Sequence, residues 1–155
     1  MKHCLFSLLF ISTSLHFLAC TSLNSQSKST LREGVRGQVF EKKGNAMPMK
    51  GNVTTKGAVF NTVVYAFEPT TLSKVEGVNG QICTKVNSVL VDSARTDGEG
   101  KYIIRLKPGK YTLLVKYGSD YFVPYFSGLN ELAIIEIKPK LVSELDIIVN
   151  VKASY

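Results

Sequence analysis

The chain has no tryptophan and only two histidines, and both of these, His3 and His16, fall in its first nineteen residues. From residue 20 onward there is therefore no imidazole to act as a general base near neutral pH or to ligate zinc or copper. Cysteine is equally scarce: Cys4, Cys20 and Cys83 are the only three. Once Cys20 is consumed as described below, Cys83 is the one thiol left in the body, and no internal disulfide framework can form. A thiol nucleophile needs a base or a cationic neighbour, and the sequence offers only Lys85 nearby, so Cys83 reads as a small buried hydrophobe or an idle thiol. The carboxylates Asp92, Asp120, Glu131, Glu136 and Asp146 are scattered, with no spacing that marks an acid/base pair. Asp97-Gly98-Glu99 holds too few oxygens for a calcium loop and reads as a hairpin turn held by Asp97. No helical segment longer than a turn is discernible, so no glycine-rich loop can present a helix terminus to phosphate. These absences exclude the common enzyme chemistries and predict no catalytic residues, no metal and no cofactor.

The N-terminus carries a targeting signal. A basic head, Met1-Lys2-His3, precedes the apolar run Cys4 to Ala19, which is shorter than the roughly 20 residues a spanning helix needs and is interrupted by hydroxyls and His16. Residues 1–19 read as a signal peptide. Phe17-Leu18-Ala19-Cys20 resembles the lipobox of bacterial lipoproteins. The resemblance implies that Cys20 is acylated through its sulfur and becomes the new N-terminus, and Thr21 in place of Asp implies the outer membrane of a Gram-negative cell. Acyl chains on Cys20 would anchor the protein in outer-membrane lipid without a transmembrane helix. Residues 21–33, TSLNSQSKSTLRE, are rich in Ser and Thr with no period of 2 or 3.6, so residues 20–33 form the lipidated Cys and a flexible tether.

Residues 34–155 read as one all-β domain, because the apolar residues alternate in short β-branched segments separated by Gly, Pro, Asn and Asp. Strands are expected at Val35–Phe40, Thr62–Phe67, Ser88–Arg95, Tyr102–Leu106, Lys110–Tyr117, Ala133–Ile137 and Leu145–Val151. Lys42-Lys43-Gly44-Asn45 gives a turn signal after the first of these. Thr62–Phe67 is apolar on both faces, which suits a central strand. Alternation turns Tyr65, Ile104, Leu113, Val115, Ile147 and Val149 inward. Seven strands make a sandwich. Residues 72–87 show no firm period and read as a long loop or an irregular edge hairpin.

A family resemblance rests on Gly37-x-Val39, Gly44-Asn45-x-Met47-Pro48, Val63-x-Tyr65, Thr96-Asp97-x-x-Gly100-x-Tyr102 and Leu106-x-Pro108-Gly109-x-Tyr111-Thr112-Leu113-x-Val115. Together these resemble the carboxypeptidase regulatory-like domain over roughly residues 34–118. The resemblance implies a transthyretin-like fold, a seven-stranded antiparallel Greek-key β-sandwich. It also implies a non-catalytic structural, accessory or binding role.

Lysine and arginine outnumber aspartate and glutamate by 19 to 12, a formal net charge of +7. An anchored lipoprotein is kept from the chromosome, so no nucleic acid partner is expected. Attraction to anionic lipid or lipopolysaccharide headgroups is the better use of the charge.

The most unusual segment is residues 117–128, where Tyr117, Tyr121, Phe122, Tyr125 and Phe126 put five aromatics into ten residues. Such rings beside Asp120 could stack on sugars or grip an extended peptide, as in a carbohydrate- or peptide-binding accessory lipoprotein of a nutrient-uptake system. Strict alternation gives another reading: Tyr121, Val123 and Tyr125 face the core, and Phe122 and Phe126 lie on the outer face beside Pro124. On that reading Phe122 and Phe126 belong to a contact surface for an outer-membrane protein or glycan, with Asp120 and Tyr121 at its rim.

Overall fold

The computed structural model describes the backbone of residues 32–45 and 57–154 and the side chains of 32–42 and 57–151. The signal peptide, Cys20 and most of the tether lie outside the described residues. The chain forms thirteen strand segments: β1 (Gly34–Asn45), β2 (Ala58–Val59), β3 (Val63–Phe67), β4 (Val75–Glu76), β5 (Ile82–Cys83), β6 (Lys85–Val86), β7 (Leu90–Arg95), β8 (Lys101–Ile104), β9 (Gly109–Tyr117), β10 (Asp120–Phe122), β11 (Ile134–Ile137), β12 (Val142–Glu144) and β13 (Ile147–Ser154). A 3-10 turn at Leu72–Lys74 is the only helical element among the described residues, and no helix there is long and apolar enough to cross a membrane.

Two sheets face each other. The first is built on β1, whose early residues pair with β8 on one side and β12 on the other, and whose later residues pair with β2 and β13. The second runs β5-β10-β9-β3-β7, with β11 alongside the start of β9. Alternation sends Val35, Val39, Tyr102, Ile104, Ile147 and Val149 from the first sheet against Val64, Ala66, Leu113, Val115, Phe122 and Ile137 from the second, and all of these are buried. The expected all-β sandwich is thus what the chain forms, and β3 is central, as its apolar faces require.

The details differ from the expectation in three ways. There are more strand segments than seven: β2, β10 and β12 are added, and residues 72–87 form β4, β5 and β6, the irregular hairpin of the two expected alternatives rather than the loop. The pairings are mixed: β1 runs parallel to both β12 and β13. The chain returns to β1 after β11 running in the direction of β1 itself, which no local pattern announces. The turn signal at Lys42-Lys43-Gly44-Asn45 does not end the strand either. Pairing with β13 carries β1 on to Asn45, and the irregularity survives as a register shift between Glu41 and Lys43.

The second sheet is covered on its outer face as well. Phe67, Cys83, Leu114, Val123 and Leu132 form a separate buried cluster there, with Tyr65, Leu72, Val75, Val86 and Tyr121 packed against it. Tyr65 therefore packs on the face opposite the main core, since its neighbours Val64 and Ala66 take the inner positions. Buried hydroxyls hold this layer in place. Thr112 Oγ1 donates to Leu132 O at 2.9 Å and accepts from Thr70 N at 2.9 Å, while Thr70 Oγ1 donates to Glu68 O at 2.7 Å.

Two pieces of the family-like motif meet at one carbonyl. A Cβ on Gly37 would lie 1.8 Å from Leu145 O, and the buried Tyr102 hydroxyl donates to that same oxygen at 2.7 Å. Burial, with the Asp146 carboxylate nearby, pushes the Tyr102 hydroxyl well above its ordinary value and keeps it protonated as a donor. Gly100 adopts φ +75° and its carbonyl accepts from Val39 N at 2.9 Å. The spacing Gly37-x-Val39 and Gly100-x-Tyr102 is thus a record of close backbone approaches.

Candidate functional site

The aromatic segment is divided by strand alternation. After β9, the turn at Gly118 (φ +61°) leads into β10, where Asp120, Tyr121 and Phe122 stand opposite Tyr117, Lys116 and Val115. Phe122 pairs with Val115 and Ile82, turns inward, and is wholly buried in the main core. This corrects the expectation of an exposed Phe122: the alternation starts one residue out of phase, so Tyr121 takes the outer face and Phe122 the inner one. Val123 is also buried, in the outer cluster, whereas Tyr125 is 39% exposed rather than turned to the core.

Tyr121 is half-buried in a three-ring cluster. Its ring meets Tyr65 at 5.5 Å and Phe67 at 6.0 Å, both edge-on, and Lys116 Nζ stands 4.7 Å above its centroid. An ammonium group already occupies one face of the ring, so Tyr121 serves packing and cation–π attraction rather than as an open stacking platform. Phe126 is 40% exposed on the 123–133 loop, bridged to Leu132. The Tyr125 hydroxyl nearby donates to Ile134 O at 2.6 Å. The four residues Asp120, Tyr121, Phe122 and Phe126 do not share one surface.

Asp120 is the member that reaches a cleft. An open cleft of about 520 Å³ lies between the β5–β10 edge and β13 of the facing sheet, lined by Gly77, Asn79, Gly80, Gln81, Ile82, Thr84, Asp120, Asn150 and Val151. Its near wall is a tight hairpin in which Asn79 and Ile82 exchange backbone hydrogen bonds of 2.8 and 3.0 Å. Gly77 and Gly80 take φ +61° and +58°, and a Cβ on Gly77 would collide with Thr84. Gln81 fixes this hairpin by donating from Nε2 to Val123 O and Pro124 O at 3.2 and 3.0 Å. The Asp120 carboxylate accepts from Ser119 Oγ at 3.0 Å, and among the described residues no lysine or arginine lines the cleft. The site thus offers the Asn79 amide, which can donate and accept, a hydroxyl and one carboxylate, in a volume suited to a small ligand.

Of the residues that line the cleft, the sequence singles out Asp120 alone. Asn79, Gln81 and Thr84 fall in the stretch without a period, and Asn150 reads as an ordinary outward position of the last strand. The glycines in Gly77-Val78-Asn79-Gly80 are the one local signal of a turn that could present polar groups.

The other sequence candidates settle as follows. Cys83 is wholly buried beside Phe67 and Leu114. Burial pushes its thiol up, and the Asp120 charge adds to the effect, so the thiolate is disfavoured. Asp97 is committed to its turn, its Oδ1 accepting from Glu99 N and Lys101 N at 2.9 Å each. Among the described residues no group of three or more His, Cys, Asp or Glu is placed to hold a metal ion. A second depression of about 410 Å³ lies on the outside of the first sheet, but its charges answer one another: Arg36 pairs with Glu144, and Asp146 Oδ1 accepts from Gln38 N at 3.0 Å.

No family model and no curated protein matches the chain. Among solved structures it is similar to a candidate carbohydrate binding protein from Pseudomonas aeruginosa, with 14% identity, 79% of this chain and 92% of that chain covered, and a TM-score of 0.33. The sandwich described above stands on the chain's own strand pairings.

Proposed function

We propose that this protein is a lipid-anchored β-sandwich binding module of the carboxypeptidase regulatory-like kind, held in the outer membrane through acylated Cys20 and without catalysis of its own. The observation that carries the binding role is the Asp120 cleft. The Asp120 carboxylate is the one charged group among the described residues that line the cleft and disfavours anions there, while the Asn79 amide and the Thr84 hydroxyl match the mixed donors and acceptors of a neutral polyhydroxylated or peptide ligand. Within this reading the cleft favours a carbohydrate- or peptide-binding accessory lipoprotein, such as a nutrient-uptake system uses, over a purely structural part. The exposed Phe126 belongs to a separate contact with a membrane protein or glycan partner.

The test is a titration with soluble neutral oligosaccharides and short peptides, followed by chemical shifts. Asp120→Asn and Asn79→Ala should each weaken saturable binding by about tenfold, the worth of a hydrogen bond to a charged group, with an unchanged melting temperature. Binding that survives both substitutions would remove the cleft from the proposal. The anchor is tested separately: Cys20→Ser should abolish acyl labelling and release the protein from membranes, and labelling that persists ends the lipoprotein reading.

A further inference from the structure

Among the described residues, basic side chains gather at one end of the sandwich. At one end β1 begins, β8 ends, β9 begins, β11 ends and β12 begins, as the pairs Val35 with Ile104, Gly34 with Val142 and Ile137 with Gly109 require. That end carries Arg32, Arg105, Lys107, Lys110, Lys138 and Lys140, all exposed. The acids there are Glu33, Glu68 and Glu136. Of these, Glu33 accepts the Lys140 backbone N–H at 2.8 Å and Glu136 stands opposite Lys110. At the opposite end, where β7 leads into β8 and β9 turns into β10, the described side chains balance: Lys42, Arg95, Lys101 and Lys116 stand with Glu41, Asp97, Glu99 and Asp120. Among the described side chains the end where the chain enters the sandwich at Gly34 therefore carries a local excess, six basic groups against three acids. Leu141, 55% exposed, sits among these lysines and gives the same face an apolar point.

We propose that this basic end is a docking face for anionic phospholipid headgroups, by which the domain lies on the bilayer. It rests on the anchored reading for its direction. Eleven residues separate Cys20 from Arg32, a span of at most about 40 Å when extended, so an anchor at Cys20 brings this end to the membrane before any other. Lysines and arginines near an anionic surface each strengthen binding by about fivefold, and the effect fades over roughly 10 Å at moderate salt. An exposed leucine among them suits the boundary between headgroups and acyl chains. The Asp120 cleft borders the turn at the opposite end, so a domain docked this way presents its cleft away from the lipid.

The experiment uses the chain from residue 20 with Ser in place of Cys20, which keeps every buried core residue, since these run from Val35 to Val149. It is mixed with vesicles of phosphatidylcholine containing phosphatidylglycerol and with vesicles of phosphatidylcholine alone. The protein should float with the anionic vesicles at low salt and be released by high salt. Lys107→Glu, Lys138→Glu and Lys140→Glu together should weaken this binding by roughly a hundredfold. The matched variant Arg95→Glu, Lys101→Glu and Lys116→Glu should lose far less, with thermal melts of both compared to the parent. Equal losses in the two variants, or equal binding to neutral vesicles, would overturn the docking face. Loss of acyl labelling in the native chain with vesicle selectivity intact would instead remove the anchor and leave the face standing.

Discussion

Phe122 and Phe126 look alike in sequence, two aromatics around Pro124, yet one is wholly buried between the sheets and the other is 40% exposed on a loop. The difference arises because β10 is only three residues long and its phase is set by pairing with β9, which places Val115 beside Phe122. Phe122→Ala should therefore cost about 3–5 kcal/mol, the usual loss for a large buried ring. Phe126→Ser should cost no more than about 1 kcal/mol. Chemical denaturation of the two variants checks this, and similar losses in both would mean that the loop around Phe126 is part of the core. The same phase effect limits what a sequence can say about a site here. Asp120 stands out because aromatics and glycines surround it, but its partnership with Asn79 and Asn150 joins residues from three distant elements and leaves no local trace.

At the scale of elements, legibility follows pairing length. β8 and β9 are paired along most of their length, so Ile104, Leu113 and Val115 are readable as core, whereas β3 is apolar on both faces and hides its phase: Tyr65, expected inward, faces outward. Residues 75–86 pair two at a time, β4 with β6 and β5 with β10, and no period can develop over two residues. What that excursion does becomes visible only in three dimensions: with the 123–133 loop, which supplies Val123 and Leu132, it covers the outer face of the second sheet over Phe67 and Leu114. β1 shows a further way in which an element is specified. Its glycine at position 37 exists because the link between β12 and β13 passes directly over it. Gly37→Ala would force a methyl group against Leu145 O, a backbone atom that cannot move alone, and should destabilise the protein by more than about 2 kcal/mol. Gly98→Ala, where nothing lies within 4 Å, should change stability by no more than about 0.5 kcal/mol. Thermal melts that ranked the two equally would show that the approach at Leu145 is not tight.

At the scale of the molecule, the first strand and the last are neighbours. β13 pairs with β1 from Val39 onward and brings Ile147 and Val149 into the main core, so the first sheet is unfinished until the C-terminal strand arrives. Non-local pairing of this kind must meet the cost of closing the whole chain before any contact rewards it, which makes the sandwich cooperative and slow to form. A chain ending at Asp146 would keep β12 and the whole second sheet, yet would leave the later half of β1 without its parallel partner and open one side of the core. It should lose its cooperative melting transition and its near-ultraviolet dichroism while retaining strand content. A synthetic peptide of residues 147–155 should restore both, because it supplies the missing edge strand in the pairing direction that β1 already presents. If the shortened chain melted cooperatively near the temperature of the intact protein, β13 would be an accessory strand, and the core would close without joining the two ends of the domain.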